Sequence, residues 1–259
     1  MLLTIDVGNT NVVLGCIENG RVLSCNRTAT NVNELANDYV VKMRQFFEYD
    51  GIDYKSFEGA IMSSVVPQVN TQIKDAVKKL TGLDCMVVGA GLRTGVNIKL
   101  DDPGQLAADL LTGAVGALAL YKPPIIIVDM GTASTVMALD KDGAFLGGAI
   151  IPGVMVSLSA LISGTSLLPS IAIDAPEHCI GRNTIDCMRS GSVIGSAAMI
   201  DGMIGRMEEE LEGEVTVVAT GGISRTVIPH CRREIHYEPD LLLKGLEVIY
   251  EKNKNRRRQ

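Results

Sequence analysis

Two short stretches set a carboxylate beside glycine and small polar side chains: Asp6-Val7-Gly8-Asn9-Thr10 and Asp129-Met130-Gly131-Thr132. Glycine lets a ligand approach the backbone closely. Such a turn can therefore offer bare N–H groups and a carboxylate at one point, a geometry suited to a phosphate and its magnesium ion. Asn9, Thr10 and Asn11 add short side-chain donors. One turn of this kind, taken alone, reads more simply as a tight hairpin with aspartate as a turn residue. Two that begin alike favour the chemical reading.

The elements around the two turns repeat. Residues 2–5 and 125–128 are short apolar runs that end in the two aspartates. Each turn is followed by a second β-rich run (residues 11–17 and 136–139), a polar turn (Glu18-Asn19-Gly20 and Asp140-Lys141-Asp142-Gly143) and a third run (residues 21–25 and 144–150). The same interval of 123 separates Asp6 from Asp129 (129 − 6) and Gly20 from Gly143 (143 − 20), which aligns the segments over at least fifteen positions without a gap. Residues 60–66 and 215–219 read as a late strand of each half, and residues 33–47, 105–120 and 188–211 have helical spacing. Strands precede helices in both halves, which predicts an α/β architecture with mixed sheets. The division is expected at 1–116 and 117–259, between Gly113 and Pro124, where Lys122-Pro123-Pro124 interrupts the pattern. A ligand cleft between the halves is expected.

Bulk properties narrow the class. A chain of 259 residues with 46% apolar composition can bury a substantial core. Its net charge of −6 gives no diffuse basic field for a nucleic-acid backbone, so no nucleic-acid partner is expected. The one basic run, Lys252, Lys254, Arg256, Arg257 and Arg258, reads as a solvated terminus. Six cysteines without a C-x-x-C pair read as reduced thiols of a cytoplasmic protein. His178 and Cys179 are neighbours whose side chains diverge, without zinc spacing. An acid at position six argues against a signal peptide, and the apolar runs at 125–128 and 147–156 are too short to span a bilayer, so no membrane partner is expected.

A duplicated Asp-Gly hairpin followed by Thr220-Gly221-Gly222 resembles the actin, sugar kinase and Hsp70 ATPase superfamily, with its duplicated ribonuclease H-like fold. Within it the chain resembles the type III pantothenate kinases through DVGNT at 6–10, NIK at 97–99, DMGTAST at 129–135, GGAIIPG at 147–153, IGRNT at 180–184 and ATGG at 219–222. The resemblance implies ATP-dependent phosphorylation of pantothenate to 4'-phosphopantothenate, the first step of coenzyme A biosynthesis. ATP would be held by Asp6, Val7, Gly8, Asn9, Thr10, Asn11, Val12 and Val13, and by Gly131, Thr132, Gly221 and Gly222. Asp6 would meet Mg²⁺ through phosphate or water, and Asp129 a monovalent cation, K⁺ or ammonium. Asp109 would be the general base. The acceptor would lie against Leu100, Ala107, Ala108, Asp109, Leu110 and Thr184, the last completed across a homodimer interface. No G-x-x-x-x-G-K-[ST] motif is present, and metal with N–H donors can replace its lysine.

Three positions depart from the family pattern: Ala107 replaces the glycine and Leu110 the arginine of Gly-x-Asp-Arg, and Leu100 replaces the tyrosine after Asn-Ile-Lys. Arginine suits a carboxylate through paired, charge-assisted contacts, and leucine has no donor. A desolvated carboxylate left without its partner loses on the order of 2–5 kcal/mol. Lys99 or Arg93 is the candidate replacement. The alternative is a divergent paralogue, either a kinase for an acceptor without a carboxylate, such as pantetheine, or a non-catalytic nucleotide-binding regulator.

Overall fold

The computed structural model of the protein describes residues 1–255. Their strands form two five-stranded mixed sheets, in two compact units. The first unit comprises Met1–Val96, Asp102–Ala119 and the chain from Asp240 onward; the second comprises Asn97–Asp101 and Leu120–Pro239.

In the first unit β1 (Leu2–Val7), β2 (Asn11–Glu18), β3 (Arg21–Ala29), β4 (Gly59–Ser64) and β5 (Cys85–Val87) lie in the order β3-β2-β1-β4-β5. The short links make β1, β2 and β3 antiparallel, and the crossovers through α1 (Ala36–Tyr49) and α2 (Pro67–Thr81) make β1, β4 and β5 parallel. Leu3, Ile5 and Val7 alternate onto the face packed by Tyr39, Met43 and Phe47 of α1 and Ile73 and Val77 of α2. Leu2 and Ile61 point to the other face, where Val115 of α3 (Ala108–Leu120) and Leu246 and Ile249 of α7 (Leu241–Asn253) cover them. A strand buried on both faces needs little polar alternation, so β1 is apolar up to Asp6 except at Thr4, whose hydroxyl is satisfied by the Gly15 carbonyl. Helices α3 and α7 cross closely. A side chain on Gly116 would strike the Leu241 carbonyl, and one on Gly245 the Thr112 carbonyl.

The second unit repeats the plan. Its strands β6 (Ile125–Met130), β7 (Ala133–Leu139), β8 (Phe145–Pro152), β9 (Thr216–Thr220) and β10 (His236–Tyr237) lie in the order β10-β9-β6-β7-β8, with the same parallel and antiparallel pairs. Ile126, Val128 and Met130 face a core shared with Val154 of α4 (Val154–Ser163), Ala197, Ile200 and Ile204 of α5 (Thr184–Glu208), and Val227 of the short α6 (Ser224–Val227).

The repeat is real, yet its gap-free alignment does not hold in the structure. Leu2 faces Ile17 across β1 and β2, whereas Ile125 faces Leu139 across β6 and β7, an offset of 122 (139 − 17) where the aspartates differ by 123. The turn after Asp129 is one residue shorter, and the next hairpin one longer. Glu18 pairs with Arg21 around Asn19-Gly20, both with left-handed backbone (φ 52° and 78°), as a two-residue hairpin requires. Asp140 instead bonds Ala144 around residues 141–143. The two changes cancel, so the third strands return to register and both bulge at an equivalent leucine, Leu23 and Leu146.

The compact units also cut the chain differently from the division expected at 1–116 and 117–259. Helix α7 packs on β1 and β4 of the first unit, a choice made by non-local packing that no local pattern announces. Of the basic run, Lys252 donates to the Thr94 carbonyl (2.8 Å) and Lys254 pairs with Glu251, while Arg256, Arg257 and Arg258 lie outside the described residues. No helix among the described residues is long and apolar enough to cross a membrane.

Candidate active site

The β1 strand delivers Asp6 at its penultimate position, half-buried, with Val13 and Ser63 as its partners on the flanking strands. Residues 8–11 close the turn between the paired Val7 and Val12. The Gly8 N–H donates to the Asn11 carbonyl (2.9 Å). From outside the turn, Thr30 clasps it twice: its N–H donates to the Thr10 carbonyl (2.9 Å) and its hydroxyl to the Gly8 carbonyl (2.7 Å). Those carbonyls are thereby held by Thr30, while the side chains of Asn9, Thr10 and Asn11 are exposed. Val7 and Val12 are buried, so of these two only the backbone is offered to a ligand.

The second turn reaches a similar end by tighter packing. The Gly131 N–H donates to the Ala133 carbonyl (3.0 Å), and the Gly153 N–H to the Thr132 carbonyl (3.1 Å). Gly153 stands 123 residues after Thr30 (153 − 30) and takes its place. Any side chain there would collide with the carbonyls of Gly131 and Thr132. Gly221, with φ 93°, approaches just as closely: a Cβ on it would lie 2.6 Å from Asp129 Oδ1 and 2.6 Å from the Met130 carbonyl oxygen. Asp129, half-buried at the end of β6, thus shares a small oxygen-rich space with Met130 and Gly221. The Ser224 hydroxyl bonds the Thr220 carbonyl and fixes the following turn, in which Gly222 is exposed.

Asp109 lies in the first turn of α3, which the α7 crossing and the contact of Ala108 and Leu111 with the first unit's sheet hold in place. The approach to α3 is shaped by Asp102, whose carboxylate accepts from Gly104 N–H (3.0 Å) and the Gln105 amide (3.1 Å). Asp109 accepts the Leu110 N–H (2.7 Å), a local bond at a helix start, and is half-buried. Burial pushes its carboxyl above the ordinary aspartate value, and the Leu110 N–H opposes this only in part. A buried carboxylate so raised is a stronger base than a solvated one.

The expected acceptor residues divide between the units. Residues 107–110 belong to the first; Leu100 and Thr184 belong to the second. Leu100 extends a short segment bridged to β8 through Ile98 and Phe145, with Lys99 N–H donating to the Phe145 carbonyl (2.8 Å). A Cβ on Gly147 would come within 3.3 Å of Leu100 Cδ2. Lys99 already has a counter-ion in Asp140 at 2.6 Å; the pair raises the lysine pKa and lowers that of the aspartate. Arg93 is tied through its backbone to the Asn253 amide (2.9 and 2.8 Å). Thr184 is exposed at the first position of α5, behind Asn183, whose side chain accepts the Asp186 N–H (2.9 Å).

Thr30, Gly153 and Ser63 are the residues that sequence reasoning did not single out as site residues. The 123-residue interval contained the signal for the first two, since it carries Thr30 onto Gly153.

The family model for type III pantothenate kinases matches residues 2–206. The type III pantothenate kinase of Moorella thermoacetica is 38% identical over 254 residues, covering 98% of this chain and 100% of that protein. Among solved structures, the (R)-2-hydroxyglutaryl-CoA dehydratase component A of Acidaminococcus fermentans superposes with a TM-score of 0.57 at 15% identity, over 98% of each chain. A ROK family glucokinase from Streptomyces griseus, solved with glucose and AMPPNP, gives 0.52 at 12% identity, over 96% of this chain and 98% of that one. These two show the fold.

Proposed function

The chain belongs to the type III pantothenate kinase family, and we propose that it transfers the γ-phosphoryl group of ATP to pantothenate, giving 4'-phosphopantothenate for coenzyme A biosynthesis. The family match along most of the chain carries this reading, and the paired Asp-Gly turns give it a physical basis.

In the proposed reaction Asp109 takes the proton of the acceptor hydroxyl as its oxygen bonds to the γ-phosphorus and the bond to the β–γ bridging oxygen breaks. The Gly8 N–H is engaged by the Asn11 carbonyl, so the exposed side chains of Asn9, Thr10 and Asn11 with the rest of that turn's backbone would hold the phosphate chain, with Gly131 and Thr132 contributing from the second turn. Gly221, packed against Asp129 and Met130, and the exposed Gly222 would form the turn beside which the adenosine lies.

No group of three or more His, Cys, Asp or Glu side chains is gathered among the described residues. One carboxylate at the Asp6 turn fits a magnesium ion carried in on phosphate oxygens. Mg²⁺ bound there neutralises charge on the transferring group. The Asp129 carboxylate with the Met130 carbonyl is an all-oxygen donor set, which fits K⁺ or ammonium.

We also propose a homodimer. Ile150, Met155, Leu161, Leu167, Ile180 and Ile185 are exposed within residues 150–185, the stretch that bears Thr184, which favours an interface there. A groove of about 590 Å³ between α4 and α5, with Thr184, Leu158 and Met188 in its lining, supports the same reading. Free cysteines are consistent with the cytoplasmic location proposed.

The deciding assay supplies ATP, Mg²⁺ and K⁺ with pantothenate or pantetheine and follows ADP release. Pantothenate turnover is expected, falling about 1,000-fold or more in Asp109→Asn, where one residue supplies both base and charge. Turnover of pantetheine alone would sink the pantothenate reading, and ATP binding without turnover of either would sink the kinase. The pH profile gives a second check. Asp109 acts only when ionised, so activity falls as pH drops through its burial-raised pKa, and the acid limb lies above the value of roughly 4 for an exposed aspartate. Leu110→Arg is expected to move that limb to lower pH, because a neighbouring cation favours the ionised form.

A further inference from the structure

Ser63 is wholly buried, and its hydroxyl has no hydrogen-bond partner. Parallel pairing of β1 and β4 sets it directly beside Asp6, so both side chains stand on the same face of the sheet. That face carries Leu2 and Ile61, and the start of α3 lies over it through Ala108 and Leu111. Ser63 therefore occupies the sheet face that the Asp109-bearing turn of α3 covers, one strand over from Asp6. Comparable hydroxyls nearby are satisfied: Thr4, on the same face, donates to the Gly15 carbonyl (3.1 Å), and Ser64 accepts the Val66 N–H (3.1 Å). Packing alone would be served better by an alanine or valine, since a buried hydroxyl without a partner is costly to keep.

Resting on the kinase reading above, we propose that Ser63 is a positioning residue for the metal–nucleotide end of the site, its hydroxyl donating to the Asp6 carboxylate when nucleotide is bound. Neighbouring strand residues on one face stand roughly 5 Å apart at Cβ, within reach of a serine hydroxyl and an aspartate carboxylate. A short side chain on an interior strand fixes the donor, and so fixes the rotamer in which Asp6 meets the metal's water shell.

The test uses the full chain, with Mn²⁺ and ADP as the probe and calorimetry as the readout, beside ATP turnover at varied Mg²⁺. Ser63→Ala is expected to weaken Mn²⁺–ADP binding about 5- to 20-fold, as loss of one charge-assisted hydrogen bond implies. The Mg²⁺ needed for half-maximal turnover should rise by a similar factor, with KM for pantothenate unchanged and binding restored in Ser63→Thr. Should Ser63→Ala fail to fold, Ser63→Cys keeps the volume and loses the strong donor, and the same loss is expected. Wild-type Mn²⁺–ADP binding in the alanine or cysteine variant overturns the proposal, as does a loss that threonine leaves unrepaired. If the wild-type protein binds Mn²⁺–ADP but turns over no acceptor, the kinase reading fails and the binding series still decides the role of Ser63. A wild-type protein that binds no Mn²⁺–ADP overturns both.

Discussion

The turn after Asp6 has four residues between its last strand pairs and is clasped from outside by the Thr30 hydroxyl and N–H. The turn after Asp129 has three and is held by Gly153, whose backbone lies against it. The first is longer, richer in side-chain donors and fixed by directional bonds. The second is short and nearly all backbone; it keeps the bond from the Gly153 N–H to the Thr132 carbonyl, and in place of the Thr30 hydroxyl it has the close fit that only glycine at 153 allows. Hydrogen bonds and steric limits fail differently. Losing one bond costs about 1 kcal/mol, whereas forcing atoms into a filled space costs about 1–3 kcal/mol and occasionally more. One duplicated element thus became a donor-rich turn in one unit and a tightly packed turn in the other.

Substitutions at the equivalent positions are the sharpest way to break this contrast. Gly153→Ala should have the largest effect, a loss of about 3 kcal/mol, seen as a melting temperature lower by roughly 6–12 °C. A melt within 2 °C of wild type, about the scale of a 1 kcal/mol change or less, would mean that the second turn is not held by volume. Gly221→Ala strains a left-handed backbone and drives a methyl group into Asp129, at a cost of roughly 1–3 kcal/mol. It should raise the K⁺ concentration for half-maximal turnover by about tenfold, the kinetic equivalent of 1.4 kcal/mol. Thr30→Val should be mildest, raising KM for ATP roughly 5- to 10-fold through one lost hydrogen bond. Thr30→Ser should retain wild-type kinetics, and if it does not, the methyl group rather than the hydroxyl secures the first turn.

Much of this was legible in the residues. The two aspartates, the glycine turns and the apolar runs announced two related sheets because each depends on local chemistry, the two-residue hairpin at Asn19-Gly20 above all. The one-residue slip between Asp129 and Gly143 stayed hidden because its two halves cancel before the glycine that would have revealed it. Neither the docking of α7 nor the glycines at its crossing with α3 could be read, since Gly116 and Gly245 have meaning only once the two helices meet. Among the site residues, Asp6 and Asp129 stood out by their motif, whereas Thr30 and Ser63 act through neighbours far along the chain. Leu100, Ala107 and Leu110 raised the question of what meets the acceptor's carboxylate. The Lys99–Asp140 pair sharpens it by giving one candidate cation a counter-ion of its own.

The assignment of α7 bears on the order in which the protein can be made. Synthesis proceeds from the N-terminus, yet the sheet face bearing Leu2, Asp6, Ile61 and Ser63 is roofed by a helix that begins at Leu241. The second unit is complete in sequence by Pro239, before that roof exists. The unit begun first is therefore finished last. In the interval only α3 is there to cover that face, and the part that α7 will pack stays open on the ribosome, where exposed surface of this kind is the common starting point for aggregation and for chaperone capture.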